Sequence, residues 1–137
     1  MAAVRVLLVD DSFHFRRFVQ RILETRRDFQ VVGEAADGFE AVRQATELKP
    51  DLILLDIGLP KLDGIQAAKA ILNAAPESKI VFASAYCSLS LAGTALKLGA
   101  KGYVVKSEAA KDLLHAMKVV MSNKQFVSKA VIGHESS

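Results

Sequence analysis

Short apolar runs recur along the chain, each followed by an amphipathic stretch, and that alternation constrains the fold more than any other feature. "VRVLLV" at 4–9 reads as a buried strand, and Ser12 suits the N-cap of a helix over 13–26. In that helix Phe15, Phe18, Val19, Ile22 and Leu23 recur at three-to-four spacing and predict its buried stripe. Residues 29–34 form a second predicted strand, followed by a helix over 38–48 that Asp37 caps and Pro50 closes. "DLILLD", 51–56, is the third and most apolar strand, and Asp63 caps a helix over 64–74. "KIVFAS", 79–84, is the fourth, followed by a weaker helix to Leu98 that Gly99 ends. "KGYVVK", 101–106, is the fifth, and a last helix starts at Ser107 or Glu108 and runs to about 121. Residues 123–137 turn polar and lose the helical period. They read as a C-terminal tail or the start of an interdomain linker, which places the folded domain at 1–122.

Strands that alternate with helices imply a parallel sheet covered on both faces. The expectation is an α/β fold, a doubly wound five-stranded parallel sheet in a three-layer sandwich, since 137 residues are too few for a closed barrel of this kind. An apolar fraction of 51% and a charged fraction of 24% supply the core of one soluble domain. The net charge of +3 is mild and the basic residues are not gathered into one run, so charge alone does not point to nucleic acid. Cys87 is the single cysteine, which excludes an internal disulfide and suits a reducing compartment. Arg5 and Asp10 interrupt the only apolar stretch near the N-terminus, and no apolar run reaches membrane-spanning length. A cytoplasmic location with no membrane contact is the expectation.

In open sheets of this kind function gathers beyond the carboxyl ends of the strands. The first strand delivers Asp10 and Asp11 to that edge, the third Asp56, the fourth Ser84 and the fifth Lys106. Taken singly, each is an ordinary cap, turn residue or solvated charge. Together, three carboxylates in one crevice repel one another unless a cation neutralises them. A site of oxygen donors without His or Cys suits a hard divalent ion, Mg²⁺ first, rather than zinc. A metal, a lysine and a hydroxyl are what a phosphoryl group needs around its oxygens, and a carboxylate nucleophile there would become an aspartyl phosphate.

With these residues in place, the sequence resembles the receiver domain of two-component response regulators. The matching pieces are "LLVDDS", "LILLDIGLPKLDG", "IVFASA" and "LGAKGYVVKS", and the likeness runs from about residue 4 to residue 128. "VVGEAADGFEAV" and "QFVS" look most like the subfamily that usually carries a C-terminal LuxR-type helix-turn-helix DNA-binding domain. The resemblance implies a flavodoxin-like strand order, 2-1-3-4-5. It makes Asp56 the phosphoacceptor, with Asp11 a direct ligand of Mg²⁺, Asp10 a ligand largely through water, and the Gly58 carbonyl completing the protein ligands. It pairs Lys106 with Asp56 and then with the phosphoryl oxygens. It gives Ser84 a hydrogen bond to the phosphoryl group, and has Tyr103 turn its ring from solvent towards the core as the switch responds. Leu59 stands where Met often precedes the proline, and Gly58 and Tyr86 stand at positions that tune phosphoryl lifetime.

The implied function is acceptance of phosphate from a sensor histidine kinase or phosphotransfer protein, followed by a conformational switch. That switch would control a partner or an output domain, transcriptional in this resemblance, and the changed face around the fourth helix, fifth strand and fifth helix would then form a homodimer or bind a partner. It implies no enzyme acting on an external substrate, and no DNA binding by this chain itself, which stops where a DNA-binding domain usually begins. The alternative is a Mg²⁺-dependent phosphohydrolase with an aspartyl nucleophile. Such enzymes usually place an acid two residues after the nucleophile, where this chain has Gly58. Phe13, Arg17 and Arg21 share a face of the first helix, either a solvated face or, as in receivers, a kinase-docking surface. His14 reads as an exposed surface residue, and His115 and His134 have no metal spacing with anything.

Overall fold

The computed structural model describes residues 2–136, and the side chains of residues 2–132; His134 lies outside the residues whose side chains are described. In chain order the elements are β1 (Val4–Val9), α1 (Phe13–Leu23), β2 (Phe29–Ala35), α2 (Gly38–Leu48), β3 (Leu52–Leu55), α3 (Gly64–Ala74), β4 (Lys79–Ser84), α4 (Leu89–Leu98), β5 (Gly102–Val105), α5 (Ala109–Met121), β6 (Phe126–Val127) and α6 (Lys129–Ser136). A single 3₁₀ turn, Lys106–Glu108, joins β5 to α5. No helix among the described residues is long and apolar enough to cross a membrane.

The strands form one parallel sheet in the order β2-β1-β3-β4-β5-β6. The two-residue period of the strands sorts the core into two layers. Val6, Leu8, Leu52, Leu54, Val81 and Val104 face α1 and α5, where Val19, Leu23, Leu113 and Met117 meet them. Leu7, Val9, Ile53, Leu55, Phe82 and Tyr103 face the other way, onto Ala41, Ala45, Ala68, Ile71 and Ala95 of α2, α3 and α4. The helices start where their caps stand: the side chains of Ser12, Asp37, Asp63 and Ser88 each accept a backbone N–H three residues on. Gly99 ends α4 at φ 121°, a conformation that favours glycine.

Six expectations from sequence need correction. The fifth strand spans only Gly102–Val105, and the segment from 123 on, read as polar and without helical period, carries both β6 and the helix α6 (Lys129–Ser136). The first helix ends at Leu23 rather than at 26. The third strand spans only Leu52–Leu55, so Asp51 and Asp56 flank it. Phe18, placed in the buried stripe, is 36% exposed, because α1 rests on the sheet through the narrower pair Val19 and Leu23. The sheet has six strands, not five. Gly102 and Tyr103 pair with Phe126 and Val127 along what would otherwise be a free edge of β5.

Ser128 anchors this sixth strand. It is fully buried; its N–H donates to the Tyr103 carbonyl (3.0 Å), its hydroxyl accepts from the Val105 N–H (3.1 Å) and donates to Asp112 Oδ2 (2.9 Å). Ser128→Ala leaves the Val105 donor without a partner, and is expected to cost about 1–3 kcal/mol in urea unfolding. A variant as stable as the parent would show that β6 is held by its backbone pairing alone.

Candidate functional site

The strand ends meet at one edge of the sheet. Asp10 leaves β1 with its N–H donating to the Ala35 carbonyl of β2 (3.0 Å), and Asp56 leaves β3 with its N–H donating to the Val9 carbonyl (3.0 Å). The ladder thus carries both acids to one level and buries them, Asp10 at 2% exposure and Asp56 at 7%. Asp11 stays exposed. Asp10, Asp11 and Asp56 each place one carboxylate oxygen within 4.8 Å of the others.

Lys106, in the turn after β5, reaches across to them. Its ammonium lies 2.6 Å from Asp10 Oδ2 and 3.4 Å from Asp56 Oδ2, so it bridges both acids and sits nearer Asp10 than the expected Asp56. The Asp10 contact is an ion pair without the alignment of a hydrogen bond, and among the described residues Asp10 Oδ2 has no other partner. Asp10 Oδ1 accepts from the Ser12 N–H (2.9 Å), and the Arg16 guanidinium donates to the Asp10 carbonyl (2.6 Å) and to Glu34 (2.8 Å), tying α1 to β1 and β2. Asp56 Oδ1 accepts from the Gly58 N–H (3.2 Å). Burial, and next the Asp10 charge, push the Asp56 carboxyl above the usual carboxylate range, with Lys106 pulling the other way.

One ammonium against three carboxylates leaves the crevice short of positive charge. Its donors are all oxygens, one buried carboxylate oxygen is paired by charge only, and the three oxygens lie close together. That donor set fits a hard divalent cation.

Ser84, the last residue of β4, is fully buried, and its hydroxyl accepts from the Tyr86 N–H (3.0 Å). Tyr103 is also fully buried rather than turned to solvent; its hydroxyl donates to the Tyr86 carbonyl (2.6 Å) beneath the β4–α4 loop. Burial raises the Tyr103 phenol above its ordinary value, and the neighbouring Ser84 side chain opposes that shift. Beside the acids, Phe13, His14, Arg17, Phe18 and Arg21 line a shallow groove on α1, which gathers the three residues expected on that face.

Sequence reasoning missed two neighbours of the site. Arg16 clamps the Asp10 carbonyl, and the Phe15 ring centroid lies 4.7 Å from Lys106 Nζ. Phe15 carries a core-stripe signal only; nothing local announces a contact with the far end of β5.

Residues 6–118 match the family model of the response regulator receiver domain. The chain is 34% identical over 128 residues to the transcriptional regulatory protein DegU of Brevibacillus brevis, covering 93% of this chain and 54% of that protein. It is 36% identical to the chemotaxis protein CheY of Listeria monocytogenes, covering 84% of this chain and 96% of that one. Thus the chain spans about half of the first relative and nearly all of the second. Among solved structures, a LuxR-family two-component response regulator from Aurantimonas sp. superposes with a TM-score of 0.89 at 29% identity, over 98% of this chain and 99% of that one. The response regulator domain of Thermotoga maritima CheB gives 0.82 at 34% identity, over 88% and 97%. Since the family match runs from Val6 within β1, through β2–β5, to Lys118 within α5, the chain belongs to the response regulator receiver domains of two-component systems.

Proposed function

We propose that Asp56 is the phosphoacceptor of this receiver. The observation that carries the reading is its buried carboxylate, 3.4 Å from the Lys106 ammonium and within 4.8 Å of carboxylate oxygens of both Asp10 and Asp11. An Asp56 carboxylate oxygen attacks the phosphorus of a phosphohistidine or small phosphodonor; the new O–P bond forms as the P–N or P–O bond to the donor breaks, and the leaving group takes up a proton. Lys106 faces the transferred oxygens. Ser84 gives up its contact with the Tyr86 N–H to donate to the phosphoryl group, which draws the β4–α4 loop inward. Tyr103, bonded to the Tyr86 carbonyl, is tied to that movement. Asp10, Asp11, Asp56 and the Gly58 carbonyl would hold Mg²⁺, which when bound neutralises charge on the phosphoryl oxygens.

A sensor histidine kinase or phosphotransfer protein is the partner this reading requires, and the α1 groove beside the acids is the surface we assign to it. The output face comprises α4, β5 and α5, the face on which a phosphorylated homodimer would form. With the receiver taken as 1–122 and 123–137 as a C-terminal tail or the start of an interdomain linker, Phe126 and Val127 of that segment border the face, since β6 pairs with β5. The chain modifies only itself: Gly58 offers no acid for turnover of an external phosphate ester.

Incubation with acetyl phosphate and Mg²⁺ is expected to add the mass of one phosphoryl group, and chelation to prevent it. Mg²⁺ should also raise the unfolding temperature of the resting protein. At a concentration about tenfold above its dissociation constant the gain is about 1.4 kcal/mol. Asp11→Asn, at an exposed position, should leave metal-free stability within about 0.5 kcal/mol of the parent and remove most of the Mg²⁺ increment. An undiminished increment in that variant would take Asp11 out of the ligand set.

A further inference from the structure

Resting on the reading of Asp56 and Lys106 above, we infer that Phe15 is a positioning residue for phosphoryl transfer: its ring forms the third side of a seat that holds the Lys106 ammonium in the site. The other two sides are Asp10 Oδ2 at 2.6 Å and Asp56 Oδ2 at 3.4 Å, with the ring centroid at 4.7 Å. An ammonium at that distance is attracted by the negative face of the ring.

The ring is itself held in place. The Phe15 N–H donates to the Ser12 hydroxyl (3.2 Å), and the Ser12 N–H donates to Asp10 Oδ1, so the cap of α1 ties the ring to the carboxylate it neighbours. Phe18 packs against it from the solvent side, centroids 5.8 Å apart. Behind it, Asp10 and Ala83 line the same small gap.

The two carboxylates are the partners that the reaction draws into other contacts. Asp10 and Asp56 both belong to the acidic cluster that would hold a cation, and Asp56 becomes an acyl phosphate. A lysine seated by those two groups alone is drawn to water on its flexible stem whenever they are engaged elsewhere. The ring is neutral and keeps its attraction through every stage. An aliphatic side chain of similar volume fills the space and offers no such face.

The test uses the 137-residue chain and acetyl phosphate. Phe15→Leu should slow phosphorylation by about threefold to tenfold, and Phe15→Met, a second aliphatic filler, should do the same, while Phe15→Tyr stays within about twofold of the parent. Independently of any phosphorylation, the Lys106 ε-methylene protons should show an upfield ring-current shift in the parent and in Phe15→Tyr that is lost in Phe15→Leu. Parent-like rates in both aliphatic variants, a Phe15→Tyr rate as low as theirs, or Lys106 signals unmoved by Phe15→Leu would each overturn the inference. A parent chain that accepts no phosphate would sink the functional reading instead, and the ring-current comparison would still decide whether Phe15 seats the lysine.

Discussion

Asp56→Asn should take up no phosphoryl group under any donor or metal condition, and in the absence of metal it should unfold at the same temperature as the parent or higher. The first half follows from chemistry: a carboxamide is not a nucleophile of the kind that forms an aspartyl phosphate. The second follows from the site. Asn matches Asp in size, and its amide oxygen still accepts from the Gly58 N–H. What disappears is a charge that the fold disfavours, since burial and the Asp10 carboxylate raise the Asp56 carboxyl above its ordinary value. With the folded value above the unfolded one (about 3.9), the unfolded chain gives up this proton first. The stability contributed by the neutral carboxyl is present below the unfolded value and lost as pH rises through the folded value. The parent should therefore fall behind Asp56→Asn across that window and then track it towards neutrality. Intact mass and a pH series of unfolding temperatures measure both halves. Phosphate on the variant would move the acceptor to another residue, and a large loss of stability would make the Asp56 carboxylate a structural anchor.

Much of this site is written in the sequence, because a parallel sheet converts positions along the chain into positions along one edge. Residues that end apolar runs must end strands, so Asp10, Asp56 and Ser84 fall together once the runs are found. Asp37 and Asp63 were legible as caps for the same reason of position. The rest depends on distances between elements that no local pattern encodes. Lys106 stands closer to Asp10 than to Asp56 because of where the turn after β5 comes to rest. Phe15 and Phe18 carry one periodic signal, yet one flanks the lysine and the other faces solvent. β6 is two residues long, too short for any period. It exists because β5 has an edge to pair and Ser128 has partners to bond, and both facts belong to the folded state.

Gly64→Ala should be severely damaging, because it adds a methyl directly against the acceptor's own backbone. Gly64 is the first residue of α3, directly after its Asp63 cap, and its N–H donates to the Ile57 carbonyl (2.7 Å). A Cβ there would lie 2.1 Å from the Asp56 carbonyl oxygen and 2.6 Å from the Ile57 Cα. These are backbone atoms, so no side-chain rotation can relieve the clash. Overpacking of an ordinary core side chain costs about 1–3 kcal/mol, and a methyl pressed onto strand-end backbone belongs at or above the top of that range. Against the roughly 5–15 kcal/mol that holds a domain of this kind together, that is a large fraction. The same displacement pushes on the peptide that carries Asp56, so whatever protein remains folded should also accept phosphate more slowly. Gly58→Ala is the control: a Cβ at Gly58 meets nothing within 4 Å, and its stability should stay within about 0.5 kcal/mol of the parent. The two variants differ by six residues in position and not at all in chemistry, so urea midpoints for the pair isolate the effect of close approach. Equal midpoints would mean that α3 does not start against the acceptor strand. Unequal ones, with Gly64→Ala the weaker, tie the aim of the Asp56 carboxylate to the absence of a single side chain at the start of a helix.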